Sequence, residues 1–201
     1  RVKAKAEKLS DKNVIDFNIL ILGIDAVSRL NFYRTMPLTL KILKDIGAVE
    51  FRGYNKVGDN TYPNLIPILS GLSENELSTL CVPRKNSSFD DCPLIWKRFK
   101  DVGYTTAFGE DASSISLFNY LKKGFVEAPT DYYWRTFNSR AEAEIGHEKH
   151  LNAKLCLGPR MTVDVLLGYI SKFVQMLKNN LFFGFFWETS LTHDCLNYPI
   201  L

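Results

Sequence analysis

The feature that most constrains this chain is the run Phe17 to Ile24, FNILILGI, with polar residues before it and Asp25 directly after it. A run this apolar, broken only by Asn18 near its start and without alternation, suits a strand covered on both faces, as in the interior of a parallel sheet. A second such run, Leu181 to Trp187 (LFFGFFW), lies near the other end. Between them the pattern alternates. Met36 to Ile46 carries Leu38, Leu40, Ile42, Leu43 and Ile46 at helical spacing, and Gly47 stops it. Ala48 to Tyr54 reads as a second strand. Asp59 to Pro63 reads as a loop, and Pro63 to Leu69 as a short apolar helix ending near Gly71. Leu94 to Val102 reads as an amphipathic helix closed by Gly103, and Tyr104 to Phe108 as a strand leading into Gly109-Glu110-Asp111. Ser113 to Lys123 reads as a helix stopped by Gly124. Thr130 to Leu157 has no firm period and reads as an irregular excursion with a helical piece. Met161 to Leu177 is the clearest helix, with Val163, Leu166, Leu167, Ile170, Phe173, Val174 and Leu177 on one side.

Strands alternating with helices imply an α/β fold: a mostly parallel sheet with helices on both faces. In such sheets ligands sit at the carboxyl ends of the strands. A chain of 201 residues with 46% apolar content suits one domain with a real core. Residues 1–16 read as a basic tail or linker and 17–201 as the domain. The net charge of +3 lacks the concentrated basic face of a nucleic-acid binder. No stretch of about 20 apolar residues is present to span a bilayer. Arg1 in place of methionine suggests the N-terminal part of a longer protein, with room upstream for a leader or a membrane anchor.

Of the cysteines Cys81, Cys92, Cys156 and Cys195, the first two flank the polar loop Arg84 to Asp91. They suit a disulfide, against the plainer reading of four buried thiols. The even count and the sequon Asn86-Ser87-Ser88 point to a secreted or lumenal chain. No cysteine or histidine spacing matches a structural zinc site.

The carboxyl-edge rule selects the candidate chemistry. Asp25 ends the first strand and could bind a divalent cation or cap the turn at Ser28-Arg29. Thr61 lies in Gly58-Asp59-Asn60-Thr61-Tyr62-Pro63-Asn64, at or just before the N-cap of a helix. It is a plain cap, or a nucleophile at the positive end of the helix dipole. His193, followed by Asp194, lies past the last strand and could ligate a metal, protonate a leaving group or sit in a polar surface loop. Glu110 and Asp111 share the same edge, as substrate contacts or as caps of the helix at Ser113. Asn31, Asn60 and Lys56 are candidate transition-state contacts. His147 and His150 belong to a charged stretch that reads as a solvated face.

The order of these residues resembles a known opening. NILILGIDAVSRLNF followed by MPLTLKILKDIGAVEFRGYNKVGDNTYPNLIPILSG is similar to the start of the alkaline-phosphatase/sulfatase superfamily. Within it the chain resembles the animal family of sulfatase-like proteins named domain of unknown function 229. The likeness continues through GYTTAFGEDASSISLFNYLKKGF, PTDYYWRTF and LFFGFFWETSLTHD. It implies an alkaline-phosphatase-like α/β sandwich, here truncated at the C-terminus. It places Asp25 on the first metal-binding aspartate and Thr61 on the nucleophile that also bridges metals. His193 falls on the histidine that contacts substrate or metal. The implied activity is a metal-dependent hydrolase or transferase, using zinc or else calcium or magnesium. It would act on a small-molecule, glycan or lipid phosphate ester through a covalent Thr61 intermediate.

Two departures bear on that activity. Sulfatases mature a Cys or Ser in a C/S-x-P-x-R pattern to formylglycine, whereas the corresponding residues here are Thr61-Tyr62-Pro63-Asn64-Leu65. A threonine cannot give that aldehyde, so phosphate chemistry is expected. A sulfuric ester hydrolase without formylglycine is one alternative, and a secreted non-catalytic binding domain on the same fold is the other. The superfamily's later Asp-His-Gly motif and last metal-binding histidine are absent from the 201 residues. The expectation is therefore half a site, weak metal binding and little turnover in this stretch alone.

Overall fold

A computed structural model describes residues 17–145, 149–150 and 153–193. The basic tail, His147, Asp194 and Cys195 lie outside the described residues, as does the side chain of His150. Four strands form the main sheet: β1 (Ile19–Ile24), β2 (Thr105–Glu110), β3 (Tyr132–Tyr133) and a last strand numbered β8 (Phe182–Glu188). All pairings are parallel, in the order β1-β8-β2-β3. Between them run α1 (Arg29–Thr35), α2 (Pro37–Asp45), α3 (Thr61–Ser70), α4 (Glu74–Leu80), α5 (Ile95–Asp101), α6 (Arg135–Glu144) and α7 (Thr162–Met176). Two small antiparallel ribbons complete the chain: β4 (Lys149–His150) with β5 (Ala153–Lys154), and β6 (Cys156–Leu157) with β7 (Arg160–Met161).

The pleat of β8 explains the layers. Successive strand residues point to opposite faces. Phe183 and Phe185 join Phe108 and the helical residues Leu65, Ile66, Leu69, Leu77 and Trp96 on one side. Phe182 and Phe186 join Ala107 and the α7 residues Leu166, Ile170 and Phe173 on the other. Helices on both faces of a parallel sheet are thus observed, as expected. Trp96 is fully buried, stacked on Phe108 at 5.2 Å and edge-on to Phe118 at 5.9 Å. The strand β8 is buried along nearly its whole length because it lies between β1 and β2. The strand β1 is exposed in alternation: Ile19 and Ile21 pack into the first layer, while Leu20 and Leu22 keep 41% and 49% of their surface open.

Two expectations require correction. Ala48 to Tyr54 is not a strand. Its alternation is real, but no neighbouring strand pairs with it, and Val49 and Phe51 are exposed. Glu50 instead ties the segment to α1, accepting from Arg29 Nε and from the Tyr33 hydroxyl at 3.0 Å. The guanidinium of Arg29 holds the Glu50 carboxyl down to about 2.

Ser113 to Lys123 is a series of turns, not a helix. Buried Glu110 takes an amide that the helix would use, accepting from Leu117 N at 2.7 Å, and Glu142 holds the start of the segment by accepting from Ser113 N at 2.9 Å. Leu121, at φ 55°, stands in the left-handed region, which a helix does not tolerate. The helix α2 forms where its periodicity places it, yet none of its residues is buried. The excursion from Thr130 contains one real helix, α6, and the short strand β3.

Cys81 and Cys92 are bonded, closing a loop of sequence separation 11, and Cys92 is fully buried among the residues of the first layer. Cys156 is a free thiol. Cross-linking so short a loop stabilises by about 3 kcal/mol, chiefly through the unfolded chain. Replacing both cysteines by alanine is expected to lower unfolding free energy by about that amount, read as a shift in urea midpoint. An unchanged midpoint would show that the bridge carries no stability.

Candidate functional site

The candidate site forms where β1 and β8 end together. Asp25 follows Ile24, is buried to 7% exposure, and donates its amide to the carbonyl of Glu188 at 2.8 Å. Its carboxylate does not cap α1. Ser28 does that, accepting from Asn31 N at 3.2 Å. Thr61 is likewise no cap: α3 begins at Thr61, and the N-cap position belongs to Asn60. The hydroxyl of Thr61 instead donates to Asp25 Oδ1 at 3.1 Å. Two residues that are 36 positions apart in sequence therefore meet side chain to side chain.

Both halves of this contact are held by unusual backbone. Ala26, next to Asp25, has φ 54°, and Asn60, next to Thr61, has φ 70°. Leu121 is the third described non-glycine residue with positive φ. Such conformations cost about 1 kcal/mol or more each and gather where geometry is needed for function. The loop before Thr61 has a further brace. Asn64 Oδ1 accepts from Val57 N at 2.7 Å and from Gly58 N at 3.3 Å. Its Nδ2 donates to Gly58 O at 2.8 Å and Asn60 O at 2.7 Å. One amide side chain fixes four backbone groups of the turn that presents Thr61. A lone Asn in a Pro-containing helix start gives no sequence signal for this role.

The pair opens into a cleft of about 1140 Å³ that Lys56, Asn60, Trp187 and His193 also line. Lys56 is exposed and paired with Asp59. His193 is exposed, on the turn that follows β8, with its amide bonded to Thr189 O at 3.0 Å. That turn is held from beneath. Asp111, fully buried, accepts from Thr189 N at 2.7 Å, from Ser190 N at 3.1 Å and from the Ser190 hydroxyl. Glu188 accepts from Leu191 N at 2.7 Å and the Thr192 hydroxyl at 3.0 Å. Glu110 does not line the cleft; it is buried and bonded to Leu117 N. Asn31 is also outside the lining, on α1, where its side-chain oxygen accepts from Arg34.

The edge is rich in carboxylates that resist ionisation. Burial pushes Glu110 up to about 8, Glu188 to about 7 and Asp111 to about 6. Charge on Asp25 adds to the effect at Glu110 and Glu188, and charge on Asp111 adds to it as well. Sequence position offers Asp111 only as a substrate contact or a cap and gives Glu188 no role, whereas both brace the turn that carries His193. The signal that could have found Glu188 is its place at the end of an apolar run, as Asp25 ends its own.

As a metal centre the site fits in part. Asp25 and Thr61 converge as two oxygen donors and His193 lines the same cleft. Among the described residues no group of three or more His, Cys, Asp or Glu side chains is placed to hold a cation. A zinc shell takes four donors, more than Asp25, Thr61 and His193 offer.

Residues 1–200 match a family model described as protein of unknown function (DUF229). No curated protein and no solved structure matches the chain.

Proposed function

The chain belongs to the DUF229 family of proteins of unknown function, and on that premise we propose that it provides the nucleophile half of a metal-dependent phosphoester hydrolase or transferase. One contact carries the reading: the Thr61 hydroxyl donating to Asp25 Oδ1 at 3.1 Å, at the carboxyl edge of a parallel sheet and open to a cleft. A hydroxyl is a weak nucleophile at neutral pH and needs a partner that takes or weakens its proton. Asp25 is placed for that.

In this reading Thr61 Oγ1 attacks phosphorus, an Oγ–P bond forms and the ester oxygen leaves. Water or an acceptor alcohol then breaks the Oγ–P bond. The first amides of α3 have no acceptor within their own helix, so they meet the charge that grows on the phosphoryl oxygens. Lys56 and Asn60 line the cleft as substrate contacts, and His193 as donor to the leaving oxygen or as metal ligand. A divalent cation on Asp25 and Thr61, zinc or else calcium or magnesium, would lower the hydroxyl's pKa and offset the developing charge. Glu110 acts from behind the edge, by holding the Leu117 turn. The substrate class is a small-molecule, glycan or lipid ester, handled in a secreted or lumenal compartment; the Cys81–Cys92 bond supports that location. Among the described residues no helix is long and apolar enough to cross a membrane.

The test is a parallel assay of the natural full-length protein on an aryl phosphodiester and an aryl sulfate, with each of the three metals. Thr61→Ala is expected to lower kcat/KM on the phosphodiester by about a thousand-fold or more, with its thermal midpoint little changed. An active alanine variant would remove Thr61 from the role. Turnover of the sulfate alone would favour the sulfuric ester hydrolase. No turnover of either substrate with metal bound would favour a binding domain.

A further inference from the structure

The sequon Asn86-Ser87-Ser88 takes no part in the chemistry above, and its surroundings give it a separate role. It is the sole Asn-x-Ser/Thr sequence in the 201 residues. It sits inside the loop closed by Cys81–Cys92, so the chain that carries it folds where disulfides form. Asn86 is exposed, on a tight turn in which Ser87 N donates to Arg84 O at 2.9 Å and Arg84 N donates to Ser87 Oγ at 3.2 Å. Backbone and neighbouring hydroxyl thus satisfy each other without the Asn86 side chain.

Asn86 also lines a shallow cleft of about 530 Å³, with Lys85, Asn119, Leu121, Lys122 and Lys123. Leu121 is oddly placed there. It is 68% exposed, and its backbone is held at φ 55°, which a leucine adopts only at a cost. An apolar side chain beside amide and ammonium donors is a surface that suits the face of a sugar ring. Asn86 is not among the residues lining the Asp25–Thr61 cleft.

We propose that Asn86 is an N-glycosylation site whose first sugars rest on the Asn119–Lys123 turn. In the transfer, the Asn86 amide nitrogen forms a bond to C1 of the first N-acetylglucosamine of a lipid-diphosphate-linked oligosaccharide. The C1–O bond to the diphosphate breaks, the lipid diphosphate departs with the electron pair, and one amide proton is released. Ser88 supplies the hydroxyl that marks the acceptor. In the folded chain that hydroxyl is bonded to Asp90.

The proposal is tested on the natural protein secreted from a eukaryotic host. The proteolytic peptide that carries Asn86 is expected to exceed its sequence mass by one N-linked glycan, which peptide N-glycosidase F removes with conversion of Asn86 to aspartate. Ser88→Thr is expected to retain the glycan, while Asn86→Gln and Ser88→Ala lose it. An unmodified Asn86 peptide from the wild-type protein would overturn the site, and this readout needs no variant to fold. The contact with the turn has its own readout. Backbone amides of residues 119–123 are expected to exchange hydrogen severalfold more slowly with the glycan than after its enzymatic removal, and equal rates would overturn the seating.

Discussion

Gly23→Ala is expected to be among the most damaging single substitutions in this chain. A Cβ at position 23 would lie 1.8 Å from Trp187 Cε3 and 2.0 Å from Cζ3. No real carbon contact is that short, so the indole must leave. It cannot leave freely: it is stacked against Phe185 at 6.0 Å with an interplanar angle of 6°, and it belongs to the central strand β8. Overpacking of this kind costs about 3 kcal/mol. The same displacement reaches the site, because Trp187 lines the Asp25–Thr61 cleft and its neighbour Glu188 anchors the Asp25 amide. The urea midpoint should fall accordingly. Adding Trp187→Leu should recover part of the loss, as expected for two residues in direct contact. A Gly23→Ala protein with unaltered midpoint would mean that the close approach of strand and indole does not exist in solution.

The second large effect concerns pH. Glu110, Glu188 and Asp111 are pushed up by burial, to about 8, 7 and 6, from ordinary values of 4.5, 4.5 and 3.8. Each therefore holds its proton more firmly when folded than when unfolded. Stability from such groups is fully present below the unfolded values and is lost as pH rises through the folded ones. In the presence of a chelator, the thermal midpoint should fall between about pH 5 and pH 8. Glu50 and Asp90 act in the opposite sense. Arg29 lowers the first, and bonds from Ser88 and from the Val126 and Glu127 amides lower the second, so their contribution is lost as pH falls. The two sets together place the optimum near about pH 5. Glu110→Gln keeps an acceptor for Leu117 N and removes the titration, so it should flatten the profile. A midpoint that rises from pH 5 to pH 8 would contradict the buried-acid account.

Much of this fold is legible because apolar runs carry their own evidence. FNILILGI and LFFGFFW announce strands by continuous burial, and Met161 to Leu177 announces α7 by period. Asp25 was found because it ends the first run, and Thr61 because Pro63 marks a helix start two residues later. What the sequence hides is who meets whom. The segment Ala48 to Tyr54 alternates like a strand, but pairing is decided by the sheet, and no strand lies beside it. Ser113 to Lys123 has the residues of a helix, but Glu110 and Glu142 capture its amides from outside the segment. The bond between Thr61 and Asp25 is invisible for the same reason: it is a product of topology.

The position of β8 sets an order of events during synthesis. It is the last of the described strands and lies between β1 and β2, with Phe182 N bonded to Asn18 across a separation of 164 residues. Contacts so distant close late in folding. At about 5–20 residues per second, the ribosome takes many seconds to go from Asp25 to Glu188. Through that interval the nascent chain holds the Thr61 turn and Asp25 without the strand that anchors Asp25. Asp25 and Thr61 are made early, yet they acquire their register only when β8 arrives.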